Sequence, residues 1–314
     1  MRTLIIDFDT VLYSSAAQQQ TNRCLAIHKE SGREKLWDSK TEFNTWLKGQ
    51  NRWTKEDFEF KVKSEVTGEA SHAFRTIDQK LSNIINAGKC DDFLIIMEGP
   101  GNFRMERESR FVNYKGSRPE KPLLFHKCKE FVRSKYRHNL LMAVDRETDD
   151  EVVMRSWESY NRSFKYKDKD EANYVIAYCD KDIPANGRGW MLNYFKLEEG
   201  IFWNDAFTQS YNFATQCLTG DNADEIPGIE YLSPELKEKY GIRVNGVGPA
   251  TAVKLLADCK TEADLAARVV ECYRETYPKD WRERLDDNAF YLYLLRSEDD
   301  KWDAARYFGA AWDE

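Results

Sequence analysis

Four short apolar runs in this chain each end in an acid: LIID (4–7), DFLIIME (92–98), NLLMAVD (139–145) and YVIAYCD (174–180). LNYF (192–195) is a fifth candidate strand. Continuous runs of this length, without polar alternation, suit strands buried on both faces of a parallel sheet. Segments with helical apolar spacing separate them, at 71–85, 121–136 and 149–160. The last follows Thr148 as a candidate N-cap, with Glu151 as its capping-box partner. This alternation predicts an α/β fold, a mainly parallel twisted sheet flanked by helices, with ligands gathered at the carboxyl ends of the strands.

Two regions fall outside that pattern. Residues 22–68 read as a basic, mixed insertion in which DFEFKVK (57–63) alternates like a half-exposed strand. From Ala206 onward the chain reads as helices and loops. The expected division is therefore a catalytic domain over 1–205, carrying the insertion, and a helical region over 206–314. A chain of 314 residues can bury that much core. No apolar run approaches a membrane span, and no signal-peptide pattern precedes the first strand. Seven scattered cysteines without a C-x-x-C pair, and four isolated histidines, argue for reduced thiols in a cytoplasmic protein and against zinc.

The net charge of −7 speaks against a nucleic-acid partner, but its distribution does not. Between Arg104 and Asn139 eleven Lys/Arg face four acids, a segment as consistent with a solvated face as with a phosphate-binding one. Acids recur where strands are expected to end: Asp7 and Asp9, Glu98, then Glu147, Asp149 and Asp150 in ETDD, and Asp180 and Asp182 in CDKD. Asp221 and Asp224 follow in TGDNADEIPG. Aspartate at a helix start has a plain structural explanation. So many carboxylates on one sheet edge would nevertheless repel one another unless cations neutralise them. Ligation by oxygen alone points to Mg²⁺ or Mn²⁺, and the number of acids suits two ions and phosphodiester chemistry. The competing reading is a haloacid-dehalogenase-type phosphatase with Asp7 as nucleophile, which IDFDTV fits; ETDD, CDKD and the basic segment have no role in that scheme.

IIDFD (5–9), MEGPGNFR (97–104), NYKGSRP (113–119), ETDD (147–150), CDKD (179–182), TGDNADEIPG (219–228) and NGVGPATAVKLL (245–256), in this order, resemble the flap endonuclease/5′→3′ exonuclease superfamily in its stand-alone bacteriophage form. The resemblance implies a PIN-like catalytic domain, a helical gateway over about 104–138, and a helix–three-turn–helix module. It implies a first metal on Asp7, Glu98, Glu147 and Asp149, and a second on Asp180 and Asp182 sharing Asp149. Asp150, Asp221 and Asp224 become outer ligands. Lys115 and Arg118 would steady the scissile phosphate, with Arg104 near the gateway base and Tyr114 stacking on a base. Gly246, Val247, Gly248 and Lys254 would hold the DNA backbone, with K⁺ in that loop. The implied activity is a 5′→3′ exonuclease with flap endonuclease activity that leaves 5′-phosphate and 3′-hydroxyl ends. It would act as a monomer on DNA with free 5′ ends or flaps, with RNA primers as a further candidate, in replication or recombination in the host cytoplasm. Three features depart from the family pattern: Phe8 replaces a glycine, Glu98 an aspartate, and EYLSPELKEKYGIRV separates IPGI from NGVG.

Overall fold

The computed structural model describes residues 1–313, and these form nine strands. In chain order they are β1 (Thr3–Asp7), β2 (Gln20–His28), β3 (Glu34–Trp37), β4 (Phe58–Val66), β5 (Asp92–Glu98), β6 (Leu140–Ala143), β7 (Tyr174–Tyr178), β8 (Gly189–Asn193) and β9 (Ile201–Asn204). The chain divides into two compact units. One comprises 1–9, 83–119 and 139–313, the other 10–82 and 120–138.

The larger unit holds a six-stranded sheet in the order β6-β5-β1-β7-β8-β9. All its pairs are parallel except β8 with β9. The fold is therefore α/β with a mainly parallel sheet. The apolar runs account for it: Leu4, Ile5 and Ile6 in β1, and Ile95, Ile96 and Met97 in β5, are all essentially inaccessible. Each such aliphatic side chain contributes roughly 1.5–3 kcal/mol by leaving water. Helix Thr148–Tyr166 lays Val152 and Val153 onto Ile5, Ile96 and Ile176. β1 lies between the branch that runs to β6 and the one that starts at β7, so the strand order switches beside it and opens a crevice at the carboxyl ends.

The expected boundary at 205/206 is not a break. Helices Ala206–Thr219, Pro249–Leu256, Glu262–Thr276 and Trp281–Leu292 share one apolar core with Val112, Tyr114 and Ala185. Asn186 ties the last stretch of chain to the sheet. It is fully buried, donates to the carbonyls of Asp182 (3.0 Å) and Leu292 (2.9 Å), and accepts from the amide of Leu294 (3.1 Å).

The smaller unit contains the insertion, an antiparallel sheet in the order β3-β2-β4. Helix Lys40–Lys48, capped by Ser39, closes it. Of the basic segment expected as a helical gateway, only Phe125–Lys135 is a regular helix. Gly116, Pro119 and Pro122 interrupt any helix before it. Phe131 of that helix stacks on Phe74 at 4.4 Å, and Lys135 pairs with Asp78 at 2.6 Å. No helix among the described residues is long and apolar enough to cross a membrane.

Asn186→Ala orphans the buried Leu294 amide and removes the side-chain bonds to two carbonyls. It should lower stability by roughly 2–3 kcal/mol, measured by urea denaturation, whereas a loss within ±0.5 kcal/mol would remove the anchoring role.

Candidate active site

The strand ends deliver the acids. Asp7 is the last residue of β1 and Glu98 the last of β5, adjacent in the sheet. Asp180 follows β7 by two residues and Asp182 opens the short helix Asp182–Asn186. Beyond β6 the chain turns through Asp145, which has a left-handed backbone (φ 58°), into helix Thr148–Tyr166. Glu147, not Thr148, is the N-cap, and the carboxylate of Asp150 accepts from the amide of Glu147 at 3.1 Å. The one-residue shift has a cause: Thr148 donates its hydroxyl to Asp9, and Glu151 pairs with Arg155.

Asp9 also accepts from the amide of Glu98 at 3.1 Å, stitching β1, β5 and this helix together. An aspartate so engaged is not the free general acid that a haloacid-dehalogenase-type mechanism requires.

The acids fall into two groups. The first has cationic partners. Asp150, fully buried, receives both terminal nitrogens of Arg104 (2.6 and 2.8 Å) and the amide of Leu295 (2.9 Å). Glu147 receives Lys115, the hydroxyl of Tyr114 (3.0 Å) and the amide of Asn102 (2.8 Å). Burial pushes the Glu147 carboxyl up, but Lys115 and Arg104 overcome that and leave it below its ordinary value. Asp224 pairs with Arg118 (2.6 Å) and Lys115 (3.6 Å), and Asp221 with Lys181 (3.2 Å). These last two acids sit in a loop that Gly220 and Gly228 make possible. Both glycines are left-handed, and a Cβ on Gly220 would stand 2.1 Å from the carbonyl of Ile226.

The second group is Asp7, Asp149, Asp180 and Asp182, and among the described residues no lysine or arginine is seen in an ion pair with any of them. Desolvation raises Asp7 well above the ordinary carboxylate value, and Asp9 and Asp180 add to it. Asp149 is raised well above by desolvation, then by Asp7, Asp180, Glu147 and Asp182. Desolvation, Asp180 and Asp221 do the same to Asp182, whose carboxylate takes one hydrogen bond from Gln216. Asp180 keeps solvent access along one side yet is also raised, by desolvation first and then by Asp221 and Asp224, against the Asp182 amide at 3.0 Å. Four mutually repelling oxygen donors are chemically suited to a hard divalent cation. Among the described residues no three acids, histidines or cysteines already stand as a ligand set, so binding an ion requires these side chains to converge.

The other expected site residues divide similarly. Lys115 adopts a left-handed backbone (φ 57°), and its amide donates to the carbonyl of Asp224 at 3.1 Å. Such a conformation costs about 1–3 kcal/mol and persists because its surroundings hold it. Arg118 remains half-exposed above Asp224. Arg104, expected to take part in catalysis, is 1% exposed and also donates to the carbonyl of Tyr293, so in this structure it holds Asp150 from within the core. Tyr114, expected to stack on a base, already stacks on Tyr291 at 4.6 Å. In the C-terminal loop Val247 is buried and its amide donates to Ile229 (3.0 Å), so it anchors the loop. Gly248 and Lys254 are exposed at either end of helix Pro249–Leu256, with Gly246 half-buried before it. The intervening EYLSPELKEKYGIRV forms helix Pro234–Tyr240, closed at its base by Leu232 donating to Asn245 (2.8 Å). Thr148, Gln216, Lys181 and Asn102 were missed; each is an ordinary residue whose role depends on a partner far along the chain.

No protein-family model matches the chain, and no curated protein matches it. Among solved structures it is similar to the bacteriophage T5 D15 protein crystallised with metal ions, with a TM-score of 0.40 and 11% identity over 93% of this chain and 99% of that one. A T5 D15 flap endonuclease pseudo-enzyme–product complex with DNA and metal ions gives a TM-score of 0.39, again with 11% identity over 93% and 99%. Likeness this distant carries no weight for the chemistry, which rests on the residues.

Raised carboxyls bind more protons folded than unfolded. The contribution of these four acids to the stability of the metal-free protein should therefore be full below about pH 4 and be lost as pH rises through the raised values. In chelator, Asp149→Asn should raise the melting temperature at pH 8 by about 2–4 °C and do little at pH 4. Asp150→Asn should instead cost about 3–5 kcal/mol at pH 8 by leaving Arg104 buried without its partner. Equal effects of the two substitutions in thermal melts would contradict the division of the acids.

Proposed function

We propose that this chain is a divalent-metal-dependent, structure-selective 5′→3′ exonuclease with flap endonuclease activity on DNA. The observation that carries the reading is the group Asp7, Asp149, Asp180 and Asp182. These acids come from the end of β1, the helix start after β6 and the turn after β7, and none of the ion pairs described above involves them; desolvation raises all four, with neighbouring carboxylates adding to it. A nuclease needs such a negative, oxygen-lined crevice beside cations that can take a phosphate. Lys115 and Arg118 are those cations, held at Glu147 and Asp224.

Asp7, Asp149, Asp180 and Asp182 would hold one or two Mg²⁺ or Mn²⁺ ions, with Glu98 and Glu147 at the margin. Bound there, the ions supply charge neutralisation and an activated water for hydrolysis to 5′-phosphate and 3′-hydroxyl products. The residues of the chain do the rest. A phosphodiester entering beside Asp224 competes for Arg118 and Lys115, and the freed carboxylates turn toward the crevice. Lys115, fixed by its backbone, then orients the phosphate and stabilises charge that develops on its oxygens. Arg104 and Tyr114 hold Asp150 and Glu147 in place from behind. On helix Pro249–Leu256 the exposed Lys254 and the amides at the N-terminus would take a backbone phosphate without reading sequence, with K⁺ on the adjoining loop.

One digestion panel tests the reading: 5′-labelled nicked, blunt, gapped and flapped duplexes with Mg²⁺. Shortening from 5′ ends and release of flaps is expected; cleavage of small phosphate esters with intact DNA would favour the phosphatase. Asp149→Asn and Asp180→Asn should abolish turnover while DNA binding persists. Lys115→Ala should lower the single-turnover rate by about 10²-fold or more with a smaller change in Kd. Lys254→Ala should weaken binding on all sequences alike and reduce the slope of log K against log salt by about 1.

A further inference from the structure

The insertion is the largest part of the chain that the acidic crevice does not use. Its sheet presents one apolar face. The register pairs Cys24 with Trp37, Ala26 with Phe60 and His28 with Phe58, placing these side chains on the same side. Helix Lys40–Lys48 adds Phe43 and Trp46, and Trp53 follows. The result is a connected set of rings: Trp37–Trp46 at 5.2 Å, Trp46–Trp53 at 5.8 Å and His28–Trp53 at 5.7 Å. A cavity of about 750 Å³, lined among others by His28, Trp37, Trp46, Trp53, Lys35 and Arg52, opens on these rings. That volume is within the range of small-ligand sites.

Two observations indicate what it takes. Trp37 is 7% exposed, and its indole N–H is sealed from water without any acceptor. Buried donors are nearly always satisfied, so this one is suited to an acceptor that arrives with a ligand. The ring faces, in turn, already carry cations of the chain: Lys35 lies 3.8 Å from the Trp37 centroid and Arg52 5.6 Å from that of Trp53. A cationic guest would meet those charges, whereas a flat, neutral ring on an anionic backbone is attracted by them. Of the acids that line the cavity, Asp57 is spent on the amide (2.7 Å) and hydroxyl (3.1 Å) of Thr54. Glu30 and Glu34 remain and can accept from the ring N–H or amino groups of a base. The segment Gln20–Val66 carries ten Lys/Arg against eight Asp/Glu, a positive balance in a chain of net charge −7.

We infer that this cavity is a second nucleic-acid site, separate in residues from the acidic crevice, which takes an unpaired base of a single strand against its tryptophans. The base would lie on the cavity side of Trp46 and Trp53 and place its flanking phosphates on Lys35 and Arg52, and a small turn of the Trp37 ring would bring its sealed indole N–H to an acceptor on the base. The choice of ligand rests on the nuclease reading; the site itself rests on the rings and the unpartnered donor.

The test uses the full-length protein, ¹⁵N-labelled at tryptophan and held in chelator, titrated with single-stranded tetrathymidylate. The indole N–H signals of Trp37 and Trp53 should shift saturably. Trp53→Ala should weaken that affinity about tenfold. Arg52→Glu, which leaves the aromatic packing intact, should weaken it several-fold. Unmoved Trp37 and Trp53 signals, wild-type affinity in both variants, or a stronger response to tetramethylammonium than to the oligonucleotide would each overturn the inference. Cleavage of flapped duplex by the same preparation with Mg²⁺ is scored separately. Shifted signals without cleavage would sink the nuclease reading alone, and cleavage without shifts would sink the base site alone.

Discussion

The buried pair of Arg104 and Asp150 is the interaction on which the crevice is built. A guanidinium and a carboxylate, both sealed from water, are tolerated because they bond each other twice and the surrounding backbone besides, although the Arg104 Nε is left without a partner. Asp150 takes Arg104 twice and the amides of Glu147 and Leu295, while Arg104 adds the carbonyl of Tyr293. Three distant stretches of chain meet in that pair: the loop after β5, the start of helix Thr148–Tyr166, and the strap following Trp281–Leu292. Breaking it strands a buried charge, which is far worse than losing a surface ion pair. The pair therefore fixes where Glu147 and Asp149 stand, although neither of its members touches the space where chemistry would occur.

That scaffold sets up a division of charge. Paired acids hold the loops in register, while unpaired acids concentrate repulsion at one point. Repulsion of this kind works against folding and favours cation binding, a common trade at functional sites. Lys115 stands on the boundary between the two groups, with its amide on Asp224 and its ammonium on Glu147.

The sheet was legible because periodicity reports burial directly. β5 begins and ends where the apolar run does, and β1 and β7 differ from their runs by a residue or two. β9 was invisible: IFWN is four residues long, follows a glycine, and becomes a strand only by pairing with β8. The acids were legible as a group because they follow strands. Their sorting was not, since Arg104 finds Asp150 across 46 residues and Lys115 finds Glu147 across 32. The resemblance put Arg104 near the gateway base and Tyr114 on a base of the DNA; in the fold Arg104 is buried on Asp150 and Tyr114 stacks on Tyr291. The insertion showed its alternation in DFEFKVK, yet nothing in the sequence announced that its aromatics share one face.

The hydrogen bonds from Val247 to Ile229 and from Leu232 to Asn245 decide how rigidly the C-terminal loop is mounted. They clamp the two ends of the extra segment together, with Leu236 and Ile242 buried beneath it. Those side chains share one core with Ala252, Leu255 and Leu256, so the extra segment and helix Pro249–Leu256 are held as a unit. The segment is also seated from outside the clamps, since Lys239 and Tyr240 both bond Glu271, so it stiffens the neighbouring helix as well as closing on itself.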